Sequence, residues 1–323
     1  MQLRHPRRHV LAAALAPLLA RAQAPAARWP LKPIRIIVVY PTGGLSDVVS
    51  RTLATSLSDK LGVPVFVDNR PGDGGALGMQ LLARAQPDGY TLAFSAVTPL
   101  TLKPHIQDVG YDAVNGFAPL AAVMYTPVLL VGTPAFTGRS FADLVALARA
   151  KPGQLRWATS GVATSGHLVL EEVRQALRVN ITHVPYKGGG QQIVDALSGQ
   201  FELLSTNLAA DQVEHVRAGK LRALAVGAPT RLKVLPNTPT FSEVGVPRAN
   251  VASLFGLFAT GGTPPEVVAT INAAVQEALA APELQARLRS ADNIPGRGTA
   301  DDFAREIARQ REDNRRLAPV LRR

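Results

Sequence analysis

The chain has 323 residues, of which 46% are hydrophobic, 5% aromatic and 18% charged, and it contains no cysteine. That length and apolar content suffice for one large or two ordinary folded domains and exclude a disordered chain, while the missing cysteine excludes disulfides, thiolate metal sites and cysteine nucleophiles. The formal charge of +11 gathers largely at the two ends, in Arg4, Arg7, Arg8 and Arg21 and again along residues 305–323, where Glu306, Glu312 and Asp313 interleave with it. This predicts a solvated helix face at the C-terminus rather than a nucleic-acid surface.

Residues 1–26 predict a cleaved signal peptide. A basic stretch ends near His9, an apolar run covers Val10 to Ala20, and Ala22-Gln23-Ala24 supplies a small-x-small cleavage pattern. The apolar run is shorter than the roughly 20 residues that span a bilayer. Arg7-Arg8 is compatible with twin-arginine export. An exported chain of this kind belongs in the bacterial periplasm.

From Ile34 onward short β-branched runs alternate with helical patterns. Ile34 to Val39 predicts a buried parallel strand, and Ser46 predicts the cap of a helix whose Val49, Leu53, Leu57 and Leu61 form one stripe ending at Gly62. Strands are expected at 63–67 and 91–95, with a helix over 76–84 between them. A strand at 128–131 and a helix over 141–150 capped by Ser140 come next. Beyond these the same rhythm gives strands at 155–159, 181–184, 201–205 and 221–226. Helices are expected from Ser165, over 191–198 and over 209–218. Thr263-Pro264-Pro265-Glu266 predicts a capping box, and further helices are expected from Pro282 and from Thr299 with Asp302. The βαβα rhythm predicts an α/β architecture with mostly parallel sheets. Two similar halves predict two lobes, 27–124 with 253–323 and 125–252, joined by hinge crossings near 123–127 and 251–257.

In an open α/β sheet ligands lie outside the carboxyl ends of the strands. The turns there are unusually rich in Gly, Ser and Thr: 41–47, 95–98, 160–166 and 186–190. Glycine allows close backbone approach, hydroxyls donate, and each turn precedes a helix N-terminus that favours an anion. One such turn alone is a capped βα connection; four at matching strand ends make an anion cradle. Enzymatic patterns are missing: there is no G-x-S-x-G elbow, no H-E-x-x-H, no phosphate-binding Walker sequence, and His105, His167, His183 and His215 lack metal-ligand spacing. Gly72-Asp73-Gly74-Gly75 fails the dinucleotide fingerprint because Leu77 stands where glycine is needed.

The chain resembles the Bug-type substrate-binding receptors of tripartite tricarboxylate transporters over nearly all of its mature length. The resemblance rests on Lys32-Pro33-Ile34-Arg35, Tyr40 to Asp47, Val67 to Gly72, Pro87-Asp88-Gly89-Tyr90, His183 to Gly188, Ala218 to Val226 and Gly262-Thr263-Pro264. It implies a two-lobed periplasmic-binding-protein-like (type 2) fold with two hinge crossings and a ligand between the lobes. It implies a site built from Tyr40, Thr42, Gly43, Gly44, Ser46, Asp47, Ser95 and Thr98 on one side. Ser160, Thr164, Ser165, Lys187, Gly188, Gly189, Gly190, Thr206 and Asn207 would form the other. Thr206 stands where many relatives carry Asp, which favours a plain carboxylate over an amino acid. The expectation is a monomeric receptor without cofactor or metal that captures a small carboxylate and hands it to a membrane permease. An exported enzyme using Ser46–Asp47 or Lys187, and a sensory receptor feeding a signalling protein, are the other readings.

Overall fold

A computed structural model describes residues 29–321, so the signal-peptide reading lies outside the described residues. In chain order the first elements are β1 (Ile34–Val38), α1 (Leu45–Leu61), β2 (Val65–Asn69), α2 (Ala76–Ala83), β3 (Thr91–Ala96), α3 (Thr98–Thr101) and β4 (Phe117–Gly132). Then come α4 (Phe141–Ala150), β5 (Arg156–Thr159), α5 (Ser165–Leu177), β6 (Thr182–Pro185), α6 (Gly189–Leu197), β7 (Leu203–Asn207), α7 (Ala210–Arg217) and β8 (Arg222–Gly227). The chain continues through β9 (Ala252–Thr260), α8 (Pro265–Ala280), α9 (Pro282–Arg289), β10 (Ile294–Pro295) and α10 (Ala300–Leu321).

The strands divide into two halves that share β4. In the first half β2, β1 and β3 run parallel, β9 lies antiparallel to β3, and β4 lies antiparallel to β9. In the second half residues 128–132 of β4 pair antiparallel with both β7 and β8, while β7, β5 and β6 run parallel. The sheets are therefore mixed at their centre, which corrects the mostly parallel expectation. The segments expected as bare crossings are hydrogen-bonded to each other, with Thr126 opposite Ser253 and Pro127 opposite Ala252. Pro127 marks the point where β4 leaves β9 and takes up β7 and β8, a place where a missing N–H is tolerated.

Each half has its own apolar core. Phe94 stacks on Phe255 amid Ile36, Val38, Leu53, Leu257 and Ile271 in the first. Trp157, Phe141, Phe241 and Val173 fill the second. Few as they are, the aromatic residues supply most of the largest buried side chains, among them Trp157, Phe94, Phe255 and Phe258. A small cluster of Leu102, Ala163, Leu168 and Leu321 joins the halves.

Several helix starts follow the sequence. Ser140 and Asp143 form a reciprocal capping box on α4, and Thr299 with Asp302 does the same for α10. Others differ. Gly44, not Ser46, caps α1, whereas α5 begins at Ser165 as expected, capped by Thr164. The box expected at Thr263 is absent because its hydroxyl donates to the Thr260 carbonyl instead, leaving Pro264 as the cap. On α10 the C-terminal charges pair along the exposed face as Arg305–Asp302, Arg309–Glu306 and Arg315–Glu312.

Candidate functional site

A cavity of about 220 Å³ lies where the two halves face each other. From the first half it is lined by the β1–α1 turn (Tyr40, Pro41, Gly43, Gly44, Leu45, Ser46), by Ala96 at the end of β3 and Thr98 just beyond it, and by Ser253 and Phe255 of β9. From the second half come Ser160, Thr164, Ser165 and Gly166, then Gly189, Gly190, Ile193 and Val194, and finally Thr206, Asn207, Ala209, Asp211 and Gln212. The volume suits a small acid and is below the range usual for drug-sized ligands.

The N-termini of α1, α5, α6 and α7 all contribute to this wall. Each presents N–H groups that the helix leaves unpaired, and the aligned peptide dipoles add partial positive charge. No lysine, arginine or histidine lines the cavity. Apart from the Asp211 carboxylate, an anion placed there meets neutral, fixed donors, and it loses no energy to reorganising mobile cationic side chains.

The hydroxyls differ in what they still have to give. Ser46, Thr98 and Ser165 are nearly buried and make no side-chain hydrogen bond among the described residues. Thr164 is spent: it donates to the Gly161 carbonyl at 2.8 Å and accepts the His167 N–H at 3.4 Å. Asn207 Oδ1 accepts the Ser253 hydroxyl at 2.6 Å, which leaves the Asn207 NH₂ as the free end of that amide. Gln192, fully buried, donates from Nε2 to both Ser160 (3.1 Å) and Thr206 (2.9 Å). Gln212 Oε1 is buried on the cavity wall with no hydrogen-bond partner among the described residues.

Other predicted residues sit behind or beside the wall. The Asp47 carboxylate accepts the Gly43 N–H at 2.9 Å and lies 2.9 Å from Arg51, so it shapes the β1–α1 turn without lining the cavity. Burial alone would raise its pKa, but Arg51 and the Gly43 N–H together hold it below the usual carboxylate range. Ser95 is buried and donates to the Ala96 carbonyl. Thr42 and Lys187 are exposed and outside the lining. Lys187, the one cation expected in the cradle, is thus no part of the wall. Gly188 lies outside the lining too, and it lets the halves meet: a Cβ there would stand 2.2 Å from Pro41 Cδ, and its φ of 142° favours glycine.

Residues missed by sequence reasoning include Ser253 and Phe255, on a strand with no glycine-rich turn, and Gln192, Ile193, Val194, Asp211 and Gln212, which lie on helices. Position after a strand end was a usable signal only for Asp211 and Gln212, which follow Asn207 closely.

Two titratable neighbours, Tyr40 and His183, are held neutral by burial. Burial pushes the Tyr40 phenol up to about 12, so it stays an uncharged hydroxyl beside Ser95 and Ala96. Behind the 160–166 loop the His167 and His183 rings stack with centroids 4.2 Å apart. His183 Nε2 lies 2.7 Å from Oγ1 of Thr159, the last residue of β5 before that loop. Burial, with smaller effects of His167 and Arg174, lowers the His183 pKa to about 3.

These features define a class: an α/β, two-lobed solute-binding protein of the periplasmic-binding-protein kind, with a cavity between its halves. Solved structures agree. The periplasmic binding protein BugD superposes with a TM-score of 0.85 at 27% identity, over 91% of this chain and 98% of BugD. The Rpa4515 protein of R. palustris, solved with adipate, gives 0.85 at 30% identity, over 91% of this chain and 98% of that one. Protein BugT of Bordetella pertussis is 36% identical over 256 residues, 78% of this chain and 77% of BugT. Residues 49–321 match the tripartite tricarboxylate transporter family receptor, and the chain belongs to that family.

Proposed function

We propose that this protein works in the periplasm as a monomeric receptor, capturing a small carboxylate between two lobes and presenting it to the membrane permease of a tripartite tricarboxylate transporter. The lobes are 27–124 with 253–323 and 125–252, and they close by bending the paired β4–β9 ribbon. The observation that carries this reading is the meeting of four helix N-termini and unspent hydroxyls in a cavity without a cation. Such a site holds an ionised acid, and its one carboxylate, Asp211, is exposed with an oxygen engaged by the Gln212 N–H, so the protein acts as a receptor and catalyses no reaction. The adipate bound by Rpa4515 supports a small carboxylate as the ligand class.

The contacts would come from the lining residues: Gly43, Gly44 and Ser46 on one lobe; Ser160, Ser165, Gly189, Gly190, Thr206 and Asn207 on the other; Tyr40, Thr98 and Thr164 completing the wall. The test is a thermal-shift screen of the mature protein against succinate, malate, glutarate, adipate and citrate. A ligand at 100 times its dissociation constant adds about 2.7 kcal/mol of stability. A rise with one acid, and no loss of that acid after prolonged incubation, supports a receptor. Turnover of the acid, or no shift in a protein shown by mass spectrometry to carry no ligand, refutes it.

A further inference from the structure

Gln192 lies on α6, one residue after the exposed Gln191, yet it is fully buried behind the cavity wall. Its amide NH₂ has two protons. One goes to Ser160 Oγ at 3.1 Å and the other to Thr206 Oγ1 at 2.9 Å. Those two hydroxyls come from different strand ends, β5 and β7, and both line the cavity. A hydroxyl has one proton and two acceptor sites. Where it already accepts from a neighbour, its own proton must point elsewhere. The alternative contact, Ser160 Oγ to Gln192 Oε1, measures 3.4 Å, long for an O–H···O bond and no match for an ionised acceptor.

We infer that Gln192 is a positioning residue for ligand recognition: by occupying an acceptor side of Ser160 and Thr206 it turns both hydroxyl protons toward the cavity, making that corner a donor-only contact for a carboxylate oxygen. The inference rests on the carboxylate reading above and adds to it a second, polar layer that sets the direction of the hydroxyls. The corner then works with the helix N-termini, which also present donors only. Asp211, exposed at the rim, already accepts the Gln212 backbone N–H and takes no part in this corner.

The experiment is isothermal titration of the mature wild type, Gln192→Met and Gln192→Glu with succinate, malate, glutarate and adipate, repeated between pH 5 and pH 8. Each hydroxyl rotor has three staggered positions, so releasing both from one position weakens binding by up to about ninefold in Gln192→Met. In Gln192→Glu an ionised carboxylate accepts both hydroxyl protons and turns them away from the ligand. Its affinity relative to wild type therefore falls steadily as pH rises and the introduced, buried carboxyl ionises. A defect of folding alone would lower affinity without this pH-dependent ratio, and melting of the ligand-free variants checks for one. Gln192→Met binding within twofold of wild type, with a pH-independent ratio for Gln192→Glu, overturns the inference alone. If the ligand-free wild type binds none of the four acids, the carboxylate reading fails and the inference falls with it.

Discussion

Two adjacent side chains at the start of α5 separate ligand binding from folding. Ser165 and Thr164 both line the cavity and both are nearly buried. The Ser165 hydroxyl makes no hydrogen bond among the described residues, whereas that of Thr164 joins Gly161 to His167 as the helix cap. Ser165→Ala therefore removes a donor that an anion would use while keeping the backbone N–H. A hydrogen bond to a charged group contributes about 1.5–3 kcal/mol. At 1.4 kcal/mol per decade, the dissociation constant should rise roughly 10- to 150-fold. Unfolding of the ligand-free protein should hardly change. Thr164→Ala removes a cap that contributes about 1 kcal/mol, so the ligand-free melting midpoint should drop by roughly 2–4 °C. Its affinity should stay within about threefold, because its proton already belongs to Gly161. Titration calorimetry with the best acid of the screen and scanning calorimetry of the free protein measure both quantities. If Thr164→Ala costs more affinity than Ser165→Ala, the distinction between spent and unspent hydroxyls is wrong.

Three further outcomes follow from single features. Gln212→Met replaces a buried, unpartnered amide oxygen by an apolar chain of similar length, and should stabilise the ligand-free protein by about 1 kcal/mol in urea unfolding. Lys103, 1% exposed, pairs with Asp73 at 2.6 Å; Asp73→Ala leaves a buried charge alone and should cost about 3 kcal/mol, more than Lys103→Met, which removes the charge as well. His183 has a folded-state pKa near 3, below its unfolded value, so the folded protein resists protonation there. Its contribution to stability is complete above about pH 6.5 and is lost as pH falls toward 3. His183→Gln should flatten this part of the stability–pH curve; an unchanged curve would place the acid sensitivity elsewhere.

The amino-acid sequence by itself determined the alternating α/β rhythm, most helix boundaries and the four glycine- and hydroxyl-rich turns. Local spacing and turn chemistry are enough for these: the stripe Val49, Leu53, Leu57 and the box Ser140–Asp143 are visible within one or two helical turns. The long strand 117–132 was not legible beyond 128–131, since most of it is buried on both faces and shows no alternation. Its Pro119 and Pro127, which argue against a central strand, are accommodated at a register shift and at the change of pairing partners. The antiparallel partner 252–260 escaped for the same reason, being buried along almost its whole length. At the site, only the tertiary structure decided which turn residues face the ligand. Lys187 and Thr42 belong to the right turns yet are exposed and lie outside the cavity lining, while the packing of one half on the other brings Gly188 against Pro41. Gln192 and Gln212 look like solvent-facing helix residues in sequence. They became buried polar groups when strands far apart in the chain closed around them, and burial of an amide has meaning only once its neighbours in space are known.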